Sequence, residues 1–186
     1  MNFNIVDLAH LLLFNLTNGD GNYIDGTAGN GYDSLFIANM LQKNGRLFSF
    51  DISEEAIQNS TLLLKKNNMN LSKISFIHDN HARIDKYLHD QSITAAIFNL
   101  GYLPGSDKII QTNAIDTLTA INHILQRLQK KGIVIISSYI GHDGGEENAA
   151  VEKYLMNLSM KEFEISKTKM IRRKNAPILY LIMKRE

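Results

Sequence analysis

Apolar positions along this chain change spacing many times, and each change marks a boundary between elements. In "IVDLAHLLLFNL" (5–16) they recur on one face of an amphipathic helix, interrupted by Asp7 and His10. "NYID" (22–25) reads as a short strand ending at a glycine loop, and "YDSLFIANMLQK" (32–43) returns to helical spacing. "GRLFSFD" (45–51) predicts a strand, "SEEAIQNSTLLLKKNN" (53–68) a helix and "KISFIHD" (73–79) a strand. "ITAAIFNL" (93–100) is a strongly apolar strand, followed by a long helix over "IIQTNAIDTLTAINHILQRLQKK" (109–131) and a strand over "GIVIISSYI" (132–140). A helix over "EENAAVEKYLMNL" (146–158) precedes two strand-like stretches, "EFEISKTKMI" (162–171) and "APILYLIMKRE" (176–186). Strands alternating with helices pair in parallel through right-handed crossovers, with helices on both faces of the sheet. The last two strands have no helical pattern between them and predict an antiparallel pair. The expected fold class is α/β, a doubly wound sheet in one domain, with an N-terminal helical segment (1–21) and a core (22–186).

A length of 186 residues suits one domain, and 44% hydrophobic composition is enough for a sizeable core. The absence of cysteine excludes a disulfide framework, a zinc–thiolate site and a cysteine nucleophile. The apolar run at 5–16 is too short to span a bilayer and lacks a basic lead-in or a small-residue cleavage site, so the expectation is a cytoplasmic protein without a membrane partner. Formal net charge is +1. No global basic field announces a nucleic acid, and any such binding needs a local patch.

In open α/β sheets ligands bind beyond the carboxyl ends of the strands. Asp25, Gly29 and Gly31 follow the first strand, Asp51 ends the second, Asp79 and Asn80 follow the third, and Asn99 to Tyr102 the fourth. Polar residues can end any one strand for bland reasons, but that reading explains the set less well. From Gly26 to Gly31 the spacing fits the start of a P-loop, yet Tyr32 and Asp33 stand where Lys and Ser or Thr should meet phosphate and magnesium. The dinucleotide fingerprint fails too, because Ser34 occupies the place of its third glycine. A carboxylate such as Asp25 would repel a pyrophosphate in a site of low dielectric and suit an ammonium and a sulfonium instead. Asp51, at the end of "LFSFD", can accept hydrogen bonds from both ribose hydroxyls of an adenosine, while Ser53 caps the following helix. A positively charged, phosphate-free adenosine cofactor is S-adenosylmethionine.

"DGTAGNG", "FSFDIS", "FNLGYLPGSDK" and "YIGHDGGEEN" together resemble the class I S-adenosylmethionine-dependent methyltransferases, whose sheet is Rossmann-like. More narrowly they resemble a small bacterial family formerly labelled rRNA methylases, understood as transfer-RNA methyltransferases of the 5-aminomethyl-2-thiouridine type. The resemblance runs from about Asp25 to the C-terminal strand, and Thr27 departs from the glycine usual in the wider superfamily. It implies that Gly29 and Gly31 let the backbone approach the methionine part of S-adenosyl-L-methionine, with Asp25 and Asn30 holding its polar groups and Thr27 among the cofactor contacts. It places Asp51 and Ser53 at the ribose and Asn80 and His81 beside the adenine, and counts Asn99 and Leu100 among the cofactor contacts. Asn80 or Asp79 can equally cap the next helix, and "HDNH" lacks the companion ligands a metal site needs, so no metal is expected.

"NLGY" (99–102) occupies the position where amino-methylating relatives carry Asn or Asp, two prolines and an aromatic. Asn99 and Tyr102 keep that spacing, and Leu100 and Gly101 replace the prolines. The expected nucleophile is an amine whose hydrogen atoms are accepted there, with His142 as substrate-positioning residue or proton acceptor; a capping role beside Glu146 is the alternative. "KTKMIRRKN" carries Lys167, Lys169, Arg172, Arg173 and Lys174 without an acidic residue, a cluster able to meet RNA phosphates or simply a solvated face. Transfer RNA is the expected partner, with ribosomal RNA as the alternative, and the N-terminal helix is expected either to lid the cofactor or to supply the face of a homodimer. A small-molecule amine methyltransferase would not need the basic patch, and a non-catalytic nucleotide module would not need Asn99 and Tyr102.

Overall fold

Helix α1 (Ile5–Leu16) starts where the sequence supplies a reciprocal cap. The Asn4 side chain accepts from the backbone N–H groups of Val6 and Asp7, while the Asp7 carboxylate accepts from the Asn4 N–H at 2.8 Å. Strand β1 (Gly21–Asp25), helix α2 (Tyr32–Met40), strand β2 (Gly45–Asp51), helix α3 (Glu54–Lys66) and strand β3 (Ile74–His78) follow. Next come the short helix α4 (Asp85–Leu88), strand β4 (Ile93–Leu100), helix α5 (Ala114–Arg127), strand β5 (Leu128–Ser138), helix α6 (Glu146–Met156), and strands β6 (Phe163–Lys169) and β7 (Ile178–Lys184). This computed structural model describes residues 3–89, 91–101, 113–139, 145–171 and 176–186. None of the described helices is long and apolar enough to cross a membrane.

One seven-stranded sheet runs in the order β3-β2-β1-β4-β5-β7-β6. β1 pairs in parallel with β2 and β4, and β4 in parallel with β5; β7 lies antiparallel between β5 and β6. The α/β doubly wound expectation and the antiparallel C-terminal pair are both met. Strand alternation splits the core in two. Tyr23, Leu47, Ala95, Ile97, Ile133, Ile135 and Leu179 face α1 and α2, while Ile24, Phe48, Phe50, Ala96, Phe98, Val134, Ile136 and Tyr180 face α4, α5 and α6. Both faces are covered, as a parallel sheet requires.

The helix expected over 109–131 is corrected at its C-terminal end. α5 stops at Arg127, and 128–131 opens β5. Leu128 continues the apolar spacing of Ile124 and Leu125, but it is buried as the sheet partner of Ile93. Lys131, at φ 61°, leaves helical geometry altogether.

Candidate active site

The glycine loop sits over the end of β1, at the point where chain connections diverge to β2 on one side and β4 on the other. Gly26 N–H donates to the Ile97 carbonyl at 2.9 Å, and Ala28 N–H to the Phe50 carbonyl at 2.8 Å, so both neighbouring strands anchor the loop. A Cβ at Gly26 would stand 2.1 Å from the Phe98 ring. Gly31 caps α2 with φ 86°, and a Cβ there would stand 2.7 Å from Ser60 Cα on α3. The missing side chain of Gly31 therefore serves the turn and the close approach of α3, a use the cofactor-approach expectation did not include.

Asp25 is fully buried, and both its oxygens are engaged: Oδ1 accepts from Thr27 N–H at 3.1 Å and Oδ2 from the Ser34 hydroxyl at 2.6 Å. Ser34 also meets Ser49 Oγ at 2.7 Å. Burial, and next the negative charge of Asp33, push the Asp25 carboxyl up to about 7, against the pull of the Ser34 and Thr27 hydrogen bonds. Asp25 braces the loop from beneath.

Asp51 is only partly buried, with Oδ2 accepting from Gly29 N–H and Oδ1 from Ser53 N–H, each at 2.9 Å. Each carboxylate oxygen keeps a second lone pair, so the ribose role remains open to it. Ser53 is the N-cap of α3, accepting from Ala56 N–H. Asn80 caps the short 3-10 turn His81–Arg83 by accepting from Ala82 N–H at 2.8 Å, and its amide donates to Asp116 at 2.7 Å. His81 lies edge-on to Phe98, and its Nδ1 donates to the Gly26 carbonyl at 2.9 Å. Burial holds its pKa below the ordinary histidine value, and its Nε2 is buried without a hydrogen-bond partner among the described residues. His81 thus reaches the glycine loop from the β3 side.

At the end of β4, Asn99 N–H donates to Thr27 Oγ1 at 2.8 Å, tying β4 to the loop. The Asn99 amide nitrogen donates to Asp33 Oδ2, while Asn99 Oδ1 is buried with no partner among the described residues. Asp33 Oδ1 meets His10 Nε2 of α1 at 2.5 Å, and the His10 ring stacks on Phe36 with centroids 3.9 Å apart. Tyr139, just past β5, feels the same carboxylate: burial and then the Asp33 charge push its phenol above the ordinary value. Leu100 is fully buried in the core, and its carbonyl accepts from Tyr139 N–H. Sequence reasoning missed His10, Asp33, Ser34 and Tyr139. An acid in the first turn of α2 was the available signal for Asp33.

Asp25, Asp33 and Asp51 gather around one loop, close enough that Asp33 and Asp51 both raise the Asp25 carboxyl, an acidic setting that disfavours phosphate. Tyr102, His142, Arg172, Arg173 and Lys174 lie outside the described residues. Lys169 shares the active edge of the sheet through an unbroken register, Leu100 beside Ser138, Ser138 beside Ile178 and Ile178 beside Lys169. Lys167 is instead paired with Glu152 at 2.6 Å. A cavity of roughly 700 Å³ opens at the opposite edge between Leu16, Lys161, Lys184 and Arg185, away from every strand end that carries the polar set.

Comparison with known proteins agrees with this geometry. The chain is 30% identical, over 97% of its length and 69% of the relative's, to the chloroplastic tRNA (mnm(5)s(2)U34)-methyltransferase of Arabidopsis thaliana. A crystal structure from Clostridium thermocellum, described as a "putative rRNA-methylase", superposes with a TM-score of 0.93 at 34% identity over 99% of each chain. A Streptococcus mutans protein described as a "putative methyltransferase" in complex with SAH gives a TM-score of 0.88 at 32% identity, again over 99% of each chain. The family model described as "Putative rRNA methylase" matches residues 47–184. With the methyltransferase sheet, the strand-end site and these matches in place, the chain belongs to that methyltransferase family.

Proposed function

We propose that this methyltransferase moves the methyl group of S-adenosyl-L-methionine onto the aminomethyl nitrogen of wobble-position 5-aminomethyl-2-thiouridine in transfer RNA. The observation that carries the reading is Asn99 Oδ1, a buried acceptor without a partner among the described residues, at the end of β4 beside the glycine loop. An N–H of the target amine would satisfy it, whereas a carbon nucleophile brings no comparable donor.

The residues present fit the cofactor. Asp51 would take the ribose hydroxyls, Gly29, Asn30 and Thr27 would border the methionine part, His81 Nε2 would offer an acceptor near the adenine, and the carboxylate set would favour its positive charge. When bound, S-adenosyl-L-methionine supplies a methyl group on a sulfonium; the amine lone pair takes the carbon, the sulfur keeps the bonding pair and the amine sheds a proton. The protein's share is alignment and desolvation of the amine, and acceptance of its hydrogens. Tyr102 is proposed as the aromatic beside the amine and His142 as its proton acceptor.

The substrate reading draws on the Arabidopsis relative, whose name specifies that tRNA position. The family description favours ribosomal RNA as a second reading. For the RNA itself, Lys169 stands at the active edge and would lead Arg172, Arg173 and Lys174 toward the phosphates. A cytoplasmic setting accords with these substrates. A homodimer would use the α1 face that leaves Leu11 and Phe14 52% and 63% exposed.

Nucleoside mass analysis tests the reading. The protein, S-adenosyl-L-methionine and transfer RNA from cells lacking the final wobble methylation should convert the aminomethyl nucleoside to its methylaminomethyl form. Methylation of ribosomal RNA alone would replace the substrate, and no methylated nucleoside at all would overturn the reading.

A further inference from the structure

The amide of Asn99 could present either end to the site, and the structure shows what decides it. An ionised carboxylate only accepts hydrogen bonds, so the Asp33 oxygen facing Asn99 must meet the Nδ2 end. The carbonyl end, Oδ1, is then the atom left over, and it is the one without a partner among the described residues. Asp33 is itself 7% exposed, and its second oxygen is taken by His10 Nε2 at 2.5 Å. His10 is fixed in turn by stacking on Phe36 at an interplanar angle of 8°. It rides on a helix that inserts Ile5, Ala9 and Leu13 into the core.

We infer that His10 and Asp33 are positioning residues for methyl transfer, a relay from α1 that locks the Asn99 amide with Oδ1 offered to the target amine. The inference rests on the amine-methylation reading above. It assigns α1 a part in the site that goes beyond packing: the helix holds the far end of the relay, 23 residues in sequence from Asp33 and, through it, another 66 from Asn99. Asp33 touches neither cofactor nor amine in this scheme. It acts through Asn99, so its loss should fall on turnover more than on cofactor binding.

The test exchanges the two partners. Asn99→Asp alone sets two carboxylates against each other and should lower kcat at least about 30-fold. Asp33→Asn combined with Asn99→Asp restores a donor on position 33 against an acceptor on position 99, with an oxygen still free for the amine. That double variant should recover at least about tenfold in kcat over Asn99→Asp. Asp33→Ala should lower kcat by about tenfold or more, and His10→Ala by a smaller factor, with SAH affinity measured by calorimetry changing less than about threefold. A separate readout is the Asn99 side-chain NH2 signal in ¹⁵N-edited NMR, which should move in Asp33→Ala and return toward its place only when an acceptor is restored at position 33. Full turnover in folded Asp33→Ala, or a double variant that regains melting temperature without regaining kcat, would overturn the inference. A wild type that methylates no RNA while its Asn99 signal still depends on Asp33 would sink the amine reading and uphold the lock on Asn99.

Discussion

The Ser34 hydroxyl donates to a carboxylate, Asp25 Oδ2, that has no exposure to solvent and a pKa near 7. An ordinary aspartate in the unfolded chain titrates near 3.8. Between those two values the folded protein keeps a proton that the unfolded chain has released, so stability falls as pH rises through that window. The span corresponds to about 4 kcal/mol at most. His81 works in the opposite sense, because a buried neutral imidazole costs stability as pH falls below its unfolded value of 6.5. The comparison must therefore be made between variants. Asp25→Asn should gain on the wild type between pH 5 and pH 8 in denaturant unfolding. A gap that stays constant over that range would show that Asp25 ionises normally.

Gly26 and Phe98 predict a second outcome. With a Cβ placed 2.1 Å from the ring, Gly26→Ala should cost about 1–3 kcal/mol by overpacking. Combining it with Phe98→Leu should return part of that cost, seen as a favourable coupling in a double-mutant cycle. Simple additivity of the two losses would mean the loop moves away from the ring at little cost.

Asp51 holds Gly29 N–H and Ser53 N–H with separate oxygens, and the ribose would join the same carboxylate. Asp51→Ala should weaken SAH binding by about 1.5–3 kcal/mol, or roughly ten- to a hundredfold. Calorimetry would show this directly. An unchanged affinity would place the ribose elsewhere.

Much of this architecture is legible in the chain itself. α1, β2 and β4 coincide with their apolar patterns to the residue, because each is bounded by a clear change of spacing or a glycine. The overrun of α5 arises because Leu128 suits a helix face and a sheet position equally, and only its pairing with Ile93 decides. The site divides in the same way. Asp25, Asp51 and Asn99 are found by standing at strand ends, which topology alone brings together. His10 and Ser34 are not, since their meaning comes from partners on other elements: His10 from Asp33, and Ser34 from Asp25 and Ser49. Asp33 enters the sequence argument only as a residue that spoils a phosphate motif, and its partners explain why that position is acidic.

The basic segment gives the fourth prediction. Reversing the charge of Arg172 and Arg173 together should reduce the salt slope of RNA binding by about one to two units in log K against log salt. Lys167→Gln serves as the control. Its ammonium is already committed to Glu152, so the slope should barely change. Equal effects from both would deny the segment a special role.

The antiparallel insertion of β7 between β5 and β6 has a consequence for synthesis. β5 is the partner of β4 in the centre of the sheet, and its other edge waits for a strand made some 40 residues later. Until then the run Ile133–Ile136 presents unpaired backbone beside apolar side chains, the kind of edge that other chains can join. Helix α6 and β6 emerge in the interval without closing that edge. The nascent protein should therefore depend most on protection from aggregation just before residues 178–184 become available.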